Sequence, residues 1–320
     1  MRTLAHPRAL PKRPVRSLRA NWPAALVDDV EGIHQSRVAS RRLREFVPAL
    51  ASPARAREAR VLRRGLRDVT RLLGRSRELD VALGTLRDIE ARAPRHGVAV
   101  EAVRAHVVRE REDASRAVRD HVDTVDIDEV TAATLALAAR NATPAAARAC
   151  ARRAASRLGR RARQLETAVV HAGLMFAPGP LHAVRIALKK FRYALEVAER
   201  LGRFRLAGTM NRLKGVQDLL GDLHDLQVLG GLARDVMAQA PASVRRALES
   251  LVTSIDDDIR ALHSHFVADH DTVVAMLARA TTVRRTLLSL PPPPGLAARP
   301  PAHAVRAPSA EVPARAREDR

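Results

Sequence analysis

Aromatic side chains are scarce in this chain of 320 residues: they make up 2% of it, with one Trp, one Tyr and five Phe. Proteins that hold single-stranded nucleic acid stack bases on aromatic platforms, and this sequence has few to offer. The single cysteine, Cys150, excludes an internal disulfide and a cysteine-rich zinc site, and it suits a reducing cytoplasm. No run approaches the roughly 18 apolar residues needed to span a bilayer. The basic segment Met1 to Arg19 lacks the apolar stretch of a secretory signal, so a cytoplasmic protein is expected. Alternating β-branched runs are almost missing too, which leaves little to build a sheet.

What is present is positive charge. Lys plus Arg reach 56 against 35 for Asp plus Glu, a net charge of +21. The lysines are Lys12, Lys189, Lys190 and Lys214, so nearly all of this charge is arginine. Such an excess repels itself unless something negative neutralises it, which points to nucleic acid, an anionic surface or a polyphosphate. Arginine abundance alone decides little; its placement must.

Apolar residues recur at three- and four-residue spacing through the body of the chain, an all-α pattern. Breaks, many of them at prolines, predict helices near 23–47, 54–73, 75–93, 97–122, 127–141, 144–173, 181–201, 204–220, 223–239, 241–268 and 270–288. Residues 1–21 mix Pro7, Pro11 and Pro14 with scattered cations and read as a disordered basic tail. Residues 291–320, beginning with four prolines, read as a disordered Pro-rich tail. The helical domain is expected over 22–290.

Its two halves, about 22–143 and 144–290, resemble each other. His34, Arg37, Arg41, Arg42 and Arg44 align with His182, Arg185, Lys189, Lys190 and Arg192 at a shift of 148 residues, and Leu72 to Val81 aligns with Leu219 to Val228 at a shift of 147. Two matches at nearly one offset predict an internal duplication. On a helix, His34, Arg37, Arg41 and Arg44 fall within an arc of roughly 80° over three turns. The second copy places His182, Arg185, Lys189 and Arg192 likewise, opposite Val184, Leu188, Phe191 and Leu195. Like charges one turn apart cost roughly 0.2–0.5 kcal/mol per pair, and no acid interleaves on either arc. A solvated basic face is the bland explanation for one such helix, but a face repeated with its histidine calls for a ligand. Arginine forks and lysine point charges match successive phosphates, and the histidine adds charge as pH falls. Arg67 and its counterpart Lys214, with Arg63, Arg64 and Arg71 nearby, are candidates for an opposing wall.

The segments HQSRVASRRLREFVPAL and LHAVRIALKKFRYALEVAE, with LLGRSRELDVAL and LLGDLHDLQVL, resemble the CHAD domain, the histidine-containing α-helical domain, over roughly residues 23–290. The resemblance implies two pseudo-symmetric four-helix bundles whose basic helices face a shared basic cavity. It implies polyphosphate binding without catalysis, and association with polyphosphate granules. Carried over by position, the ligand residues are His34, Arg37, Arg41 and Arg42 with Arg67, then His182, Arg185, Lys189, Lys190 and Arg192 with Lys214. Many relatives also carry a β-stranded triphosphate tunnel domain, for which this sequence has neither room nor pattern.

Other readings are weaker. A phosphoryl-accepting histidine wants an orienting acid or a glycine-rich phosphate cradle. Asp28, Asp29 and Glu31 precede His34, but nothing equivalent precedes His182, so no enzyme and no cofactor is expected. Asp256 to Asp258 with His263, His265 and His270 read as a solvated face rather than a metal site. Asp80 and Asp225 are expected to cap helices or pair with arginines, Trp22 to anchor the first helix, and Tyr193 to reach the cavity rim. Non-specific nucleic-acid binding, driven by net charge and the basic N-terminus, is the alternative function.

Overall fold

The computed structural model describes residues 2–173 and 177–296; of the tail expected over 291–320, residues 297–320 lie outside the described residues. Among them there are eleven α-helices and no strand, in keeping with the all-α expectation. In chain order they are α1 (Lys12–Leu26), α2 (Val30–Leu50), α3 (Ala56–Leu72), α4 (Gly74–Arg92), α5 (Gly97–His121), α6 (Ile127–Ala139), α7 (Pro144–Ala172), α8 (Pro178–Gly202), α9 (Ala207–Gln239), α10 (Ala242–Ala268) and α11 (His270–Ser289). Several starts follow simple chemistry. The side chains of Asp29, Asp126 and Thr143 accept from the backbone N–H of Gly32, Glu129 and Ala146, satisfying donors the helix cannot.

The N-terminal segment is ordered, which corrects the expectation of a tail over residues 1–21. Val15, Leu18, Trp22 and Ala25 form a buried stripe at helical spacing along α1, and Leu4 and Leu10 are buried ahead of it. Pro11 and Pro14 disguise this helix, but they sit at its cap and first turn, where proline removes no helical hydrogen bond. Beyond it, Leu4 N–H donates to the Pro291 carbonyl at 2.9 Å and Ala5 N–H to the Leu201 carbonyl at 2.6 Å. Cutting off residues 1–21 would therefore remove core, not a loose cationic arm.

The helix expected over 23–47 is two helices. Asp28, at φ 72°, turns the chain, and Asp29 then caps α2. Arg111 of α5 fixes the turn, donating to Asp28 at 2.7 Å and to the buried Asp80 of α4 at 2.6 Å. The expected break between 204–220 and 223–239 is absent. Gly221 is carried within α9, where a buried row of Leu220, Leu223, Leu226 and Leu229 outweighs the roughly 1 kcal/mol that a mid-helix glycine costs.

Two apolar cores result, and neither coincides with a half of the sequence. The larger joins Leu18, Leu43, Phe46, Leu66, Leu158, Phe191 and Leu287 from α1, α2, α3, α7, α8 and α11. The smaller joins Leu79 and Leu86 of α4, Val103 of α5, Leu229 of α9, and Leu251 and Ile255 of α10. That second core is a four-helix bundle whose helices come in equal number from before and after residue 143. The expectation of one bundle per half is thus corrected, because helices pack by apolar face rather than by chain order. The long α9 links the cores, lending Leu213 to Leu223 to one and Leu226 to Ala233 to the other.

At the crossing of α1 and α2 a Cβ on Gly32 would lie 2.7 Å from the Ala25 backbone nitrogen and 2.8 Å from the Ala24 Cβ. Gly32→Ala is expected to destabilise the fold by about 1–3 kcal/mol through overpacking. Chemical denaturation measures it; a midpoint equal to that of the unmodified protein would contradict the close crossing.

Candidate anion-binding site

α2 and α8 pack their apolar faces into the larger core: Leu43 and Phe46 on one, Val184, Leu188 and Phe191 on the other. That leaves the cationic arcs no choice of direction, and they converge. Each helix begins four residues before its histidine, so His34 and His182 stand at equivalent heights on α2 and α8. Arg37 and Arg41 of α2 come together with Arg185 and Lys189 of α8 and with Arg77 of α4, close enough that each alters its neighbours' protonation.

The repulsion is visible group by group. Burial, then Arg41, Arg77 and Arg185, push Arg37 down to about 9, still charged at neutral pH. Burial, then Arg185, Arg41 and Arg37, push Lys189 down to about 7, with Asp225 opposing. Burial lowers His34 and His182 as well, helped by Arg77 on the first and by Arg185 and Lys189 on the second. Anchors hold the cluster in place. The Arg37 Nη1 donates to the Thr70 carbonyl at 2.5 Å, and Asp225 stands 4.0 Å from Arg185, as the pairing expected of it requires. Asp225 is itself raised by burial, against the pull of Arg185.

Some expected residues are placed otherwise. The Arg42 Nε lies 3.2 Å from the buried Glu196, and Glu196 also accepts from Arg200, so Arg42 braces α2 against α8. Lys214 is exposed on α9 and paired with Asp218 at 2.5 Å. Arg192 lies over the Tyr193 ring at 5.0 Å, and Tyr193 is buried at 5% exposure rather than set at a rim. Arg44, Arg67 and Lys190 belong to a second group of cations farther along the same helices. Trp22 is buried on α1, as an anchor must be. The late acids are taken up by ion pairs: Asp256 with Arg234, Asp257 with Arg260 and Asp258 with Arg92.

Four residues escaped the sequence reading. Arg77 and His224 occupy matched places in the aligned Leu-Leu-Gly segments, and each reaches the histidine of its own half. Arg77 lowers His34, and the His224 Nδ1 lies 3.4 Å from the His182 Nδ1. Burial, then Arg185 and His182, hold His224 down to about 4. Arg157 and Arg161, one turn apart on α7, join the second cation group. Their four-residue spacing was the available signal. Beyond Arg77 the charge becomes mixed: a cleft of about 900 Å³ is lined by Asp80, Asp88, Asp222, Asp225 and Asp258 together with Arg77, Arg87 and Arg92.

Buried donors along the site lack protein partners. The Nε atoms of Arg63, Arg185 and Arg192 and one Nη of Arg157 make no hydrogen bond. Such donors cost about 1–3 kcal/mol each unless something accepts from them, and the charge around them selects an anion.

Comparison with known proteins fits this architecture. The crystal structure of the CHAD domain from the plant Ricinus communis superposes with a TM-score of 0.50 at 22% identity, covering 90% of this chain and 93% of that one. PptA from Streptomyces chartreusis superposes with a TM-score of 0.54 at 18% identity, covering 88% of this chain and 100% of that one. No curated protein sequence matches. At these identities the two structures speak for the fold alone. The family model of the CHAD domain matches residues 12–234, well over half of the chain and including α1, α2 and α8 with their cations. The chain belongs to the CHAD domain family.

Proposed function

We propose that this protein binds linear inorganic polyphosphate without transforming it, and that it associates with polyphosphate-containing granules. The observation that carries the reading is the convergence of Arg37, Arg41, Arg77, Arg185 and Lys189, from three helices, with the buried Nε of Arg185 hydrogen-bonded to no protein group. The family's association with polyphosphate supports it. A flexible polyanion with acceptor oxygens at every unit answers both problems at once: it neutralises the cluster and accepts from its forks. His34 and His182, beside those cations, are then hydrogen-bond donors to phosphate rather than nucleophiles.

Three expectations follow from the charges. Reversing Arg41→Glu and Lys189→Glu together abolishes polyphosphate binding while the helical circular dichroism signal stays. Calorimetric titration at physiological salt, beside duplex and single-stranded DNA and heparin, tests this. Unchanged polyphosphate affinity in the double variant, or equal affinity for all four polymers, would leave a general polycation instead.

Lys189 makes binding pH-dependent. A bound polyanion raises its pKa from about 7 towards the ordinary lysine range, so binding takes up a proton. Affinity is expected to rise as pH falls from about 8 to about 6, by at most about tenfold per pH unit for one proton. Lys189→Arg should flatten the profile, and a flat profile in the unmodified protein would place Lys189 outside the site.

Stability runs the other way. Because the folded state holds Lys189 below its unfolded value of 10.5, the unfolded chain binds more protons between about 7 and 10.5, and stability climbs with pH across that window. Lys189→Met removes the buried cation and is expected to stabilise the ligand-free protein at neutral pH by roughly 1–3 kcal/mol, while weakening polyphosphate binding. A melting temperature that falls would refute the claim that the cluster is held against its own repulsion.

A further inference from the structure

The second group of cations has a different construction from the first. Arg44 of α2, Arg63 and Arg67 of α3, Arg157 and Arg161 of α7 and Lys190 of α8 lie around one carboxylate, Glu45. Its side chain is 7% exposed. Arg157 donates its Nε to Glu45 at 2.6 Å, and Arg161 donates an Nη at 2.7 Å. One acid thus ties down two guanidiniums and leaves the group strongly positive. The remaining donors are not spent: one Nη of Arg157 and the Nε of Arg63 are buried without a partner. Arg63 and Lys190 take part in no ion pair or hydrogen bond among the described residues.

Position on α2 relates this group to the ladder. Arg44 follows Arg37 by seven residues, about 10 Å along the helix at 1.5 Å per residue. The opposite end of the ladder, past Arg77, opens on a cleft where five aspartates outnumber Arg77, Arg87 and Arg92, so a polyanion gains less there than among the cations around Arg44. A chain of phosphates seated on Arg37 and Arg41 therefore has a preferred direction of extension, towards Arg44.

We infer that the site has two stations for one polyanionic chain, the second built by the Glu45-held pair Arg157 and Arg161 with Arg44, Arg63 and Lys190. The inference rests on the polyphosphate reading and deepens it. Glu45 acts as a positioning residue: it orients the two guanidiniums and touches no phosphate. Occupying both stations requires a chain longer than the first alone can hold, so the protein discriminates by length and not only by charge. Burial and the neighbouring guanidiniums hold Arg44, Arg63 and Lys190 below their ordinary ranges, as expected of cations assembled for an anion.

The test compares tripolyphosphate with long-chain polyphosphate by calorimetric titration, in the full chain and in two double variants. Arg157→Ala/Arg161→Ala removes the held pair; Arg63→Gln/Lys190→Gln removes two cations that make no hydrogen bond or ion pair among the described residues, and so disturbs the fold less. Long chains also bind better simply because they offer more registers, so the variants decide, not the unmodified protein. Either variant is expected to lose about tenfold or more of its long-chain affinity, the worth of one charge-assisted contact, while tripolyphosphate affinity changes less than about twofold. The slope of log affinity against log salt for the long chain should become shallower as phosphate contacts are lost. Equal losses for both ligands would mean a single station, and no loss for either would mean that the second group is structural; each overturns the inference. An unmodified protein that binds neither ligand would instead overturn the polyphosphate reading underneath it.

Discussion

Everything at this site depends on holding like charges together against their repulsion. Two helices can present cations to each other only if their other faces are committed elsewhere, and α2 and α8 meet that condition. Leu43, Phe46, Leu188 and Phe191 are buried in a common core, so the arcs of arginine and lysine on the reverse faces cannot rotate apart. The apolar contacts supply what the electrostatics withdraw. Burial first, then the neighbouring cations, lower Lys189 and Arg37, and that is why a ligand of opposite sign gains more from this site than from a flat basic surface.

Acids are placed so as to steady the arginines without cancelling them. Glu45 takes Arg157 and Arg161; Glu196 takes Arg42 and Arg200. Each of these carboxylates is buried and each joins different segments of chain, so each unit fixes geometry while keeping a net positive charge. Such buried ion pairs add little to stability by themselves, but breaking one leaves an uncompensated charge inside. Their value here lies in aim. Arg111 with Asp28 and Asp80 does similar service away from the site, holding the turn that sets the entry of α2.

Much of this was legible in the sequence. The period of apolar residues gave the helical class and most boundaries, and the spacing of His34, Arg37, Arg41 and Arg44 singled out one face, because position on a helix is set by local geometry. What the sequence hid was decided by contacts between distant segments. Pro11 and Pro14 concealed α1, since a proline reads as a break whether it opens a helix or ends one. The brace from Arg42 to Glu196 was hidden because nothing local reveals an acid 154 positions away. Arg157 and Arg161 sat in an alanine- and arginine-rich helix that composition made unremarkable, and only Glu45 distinguishes them. The division of the cores had the same origin: repeated motifs follow chain order, whereas α4 and α5 find their partners in α9 and α10.

The backbone pairing of Leu4 with Pro291 has a bearing on how the molecule is made. Leu4 and Ala5 are synthesised well before the groups that receive them, because Leu201 and Pro291 lie far downstream in the same chain. The larger core likewise needs α11 to cover it. At about 5–20 residues per second, the opening segment waits on the order of 15–60 seconds for its partner. Throughout that interval Leu4 lacks the backbone partner that fixes it, and the nascent chain carries its cationic helices before the fold that restrains them is complete. Residues made early are thus placed late.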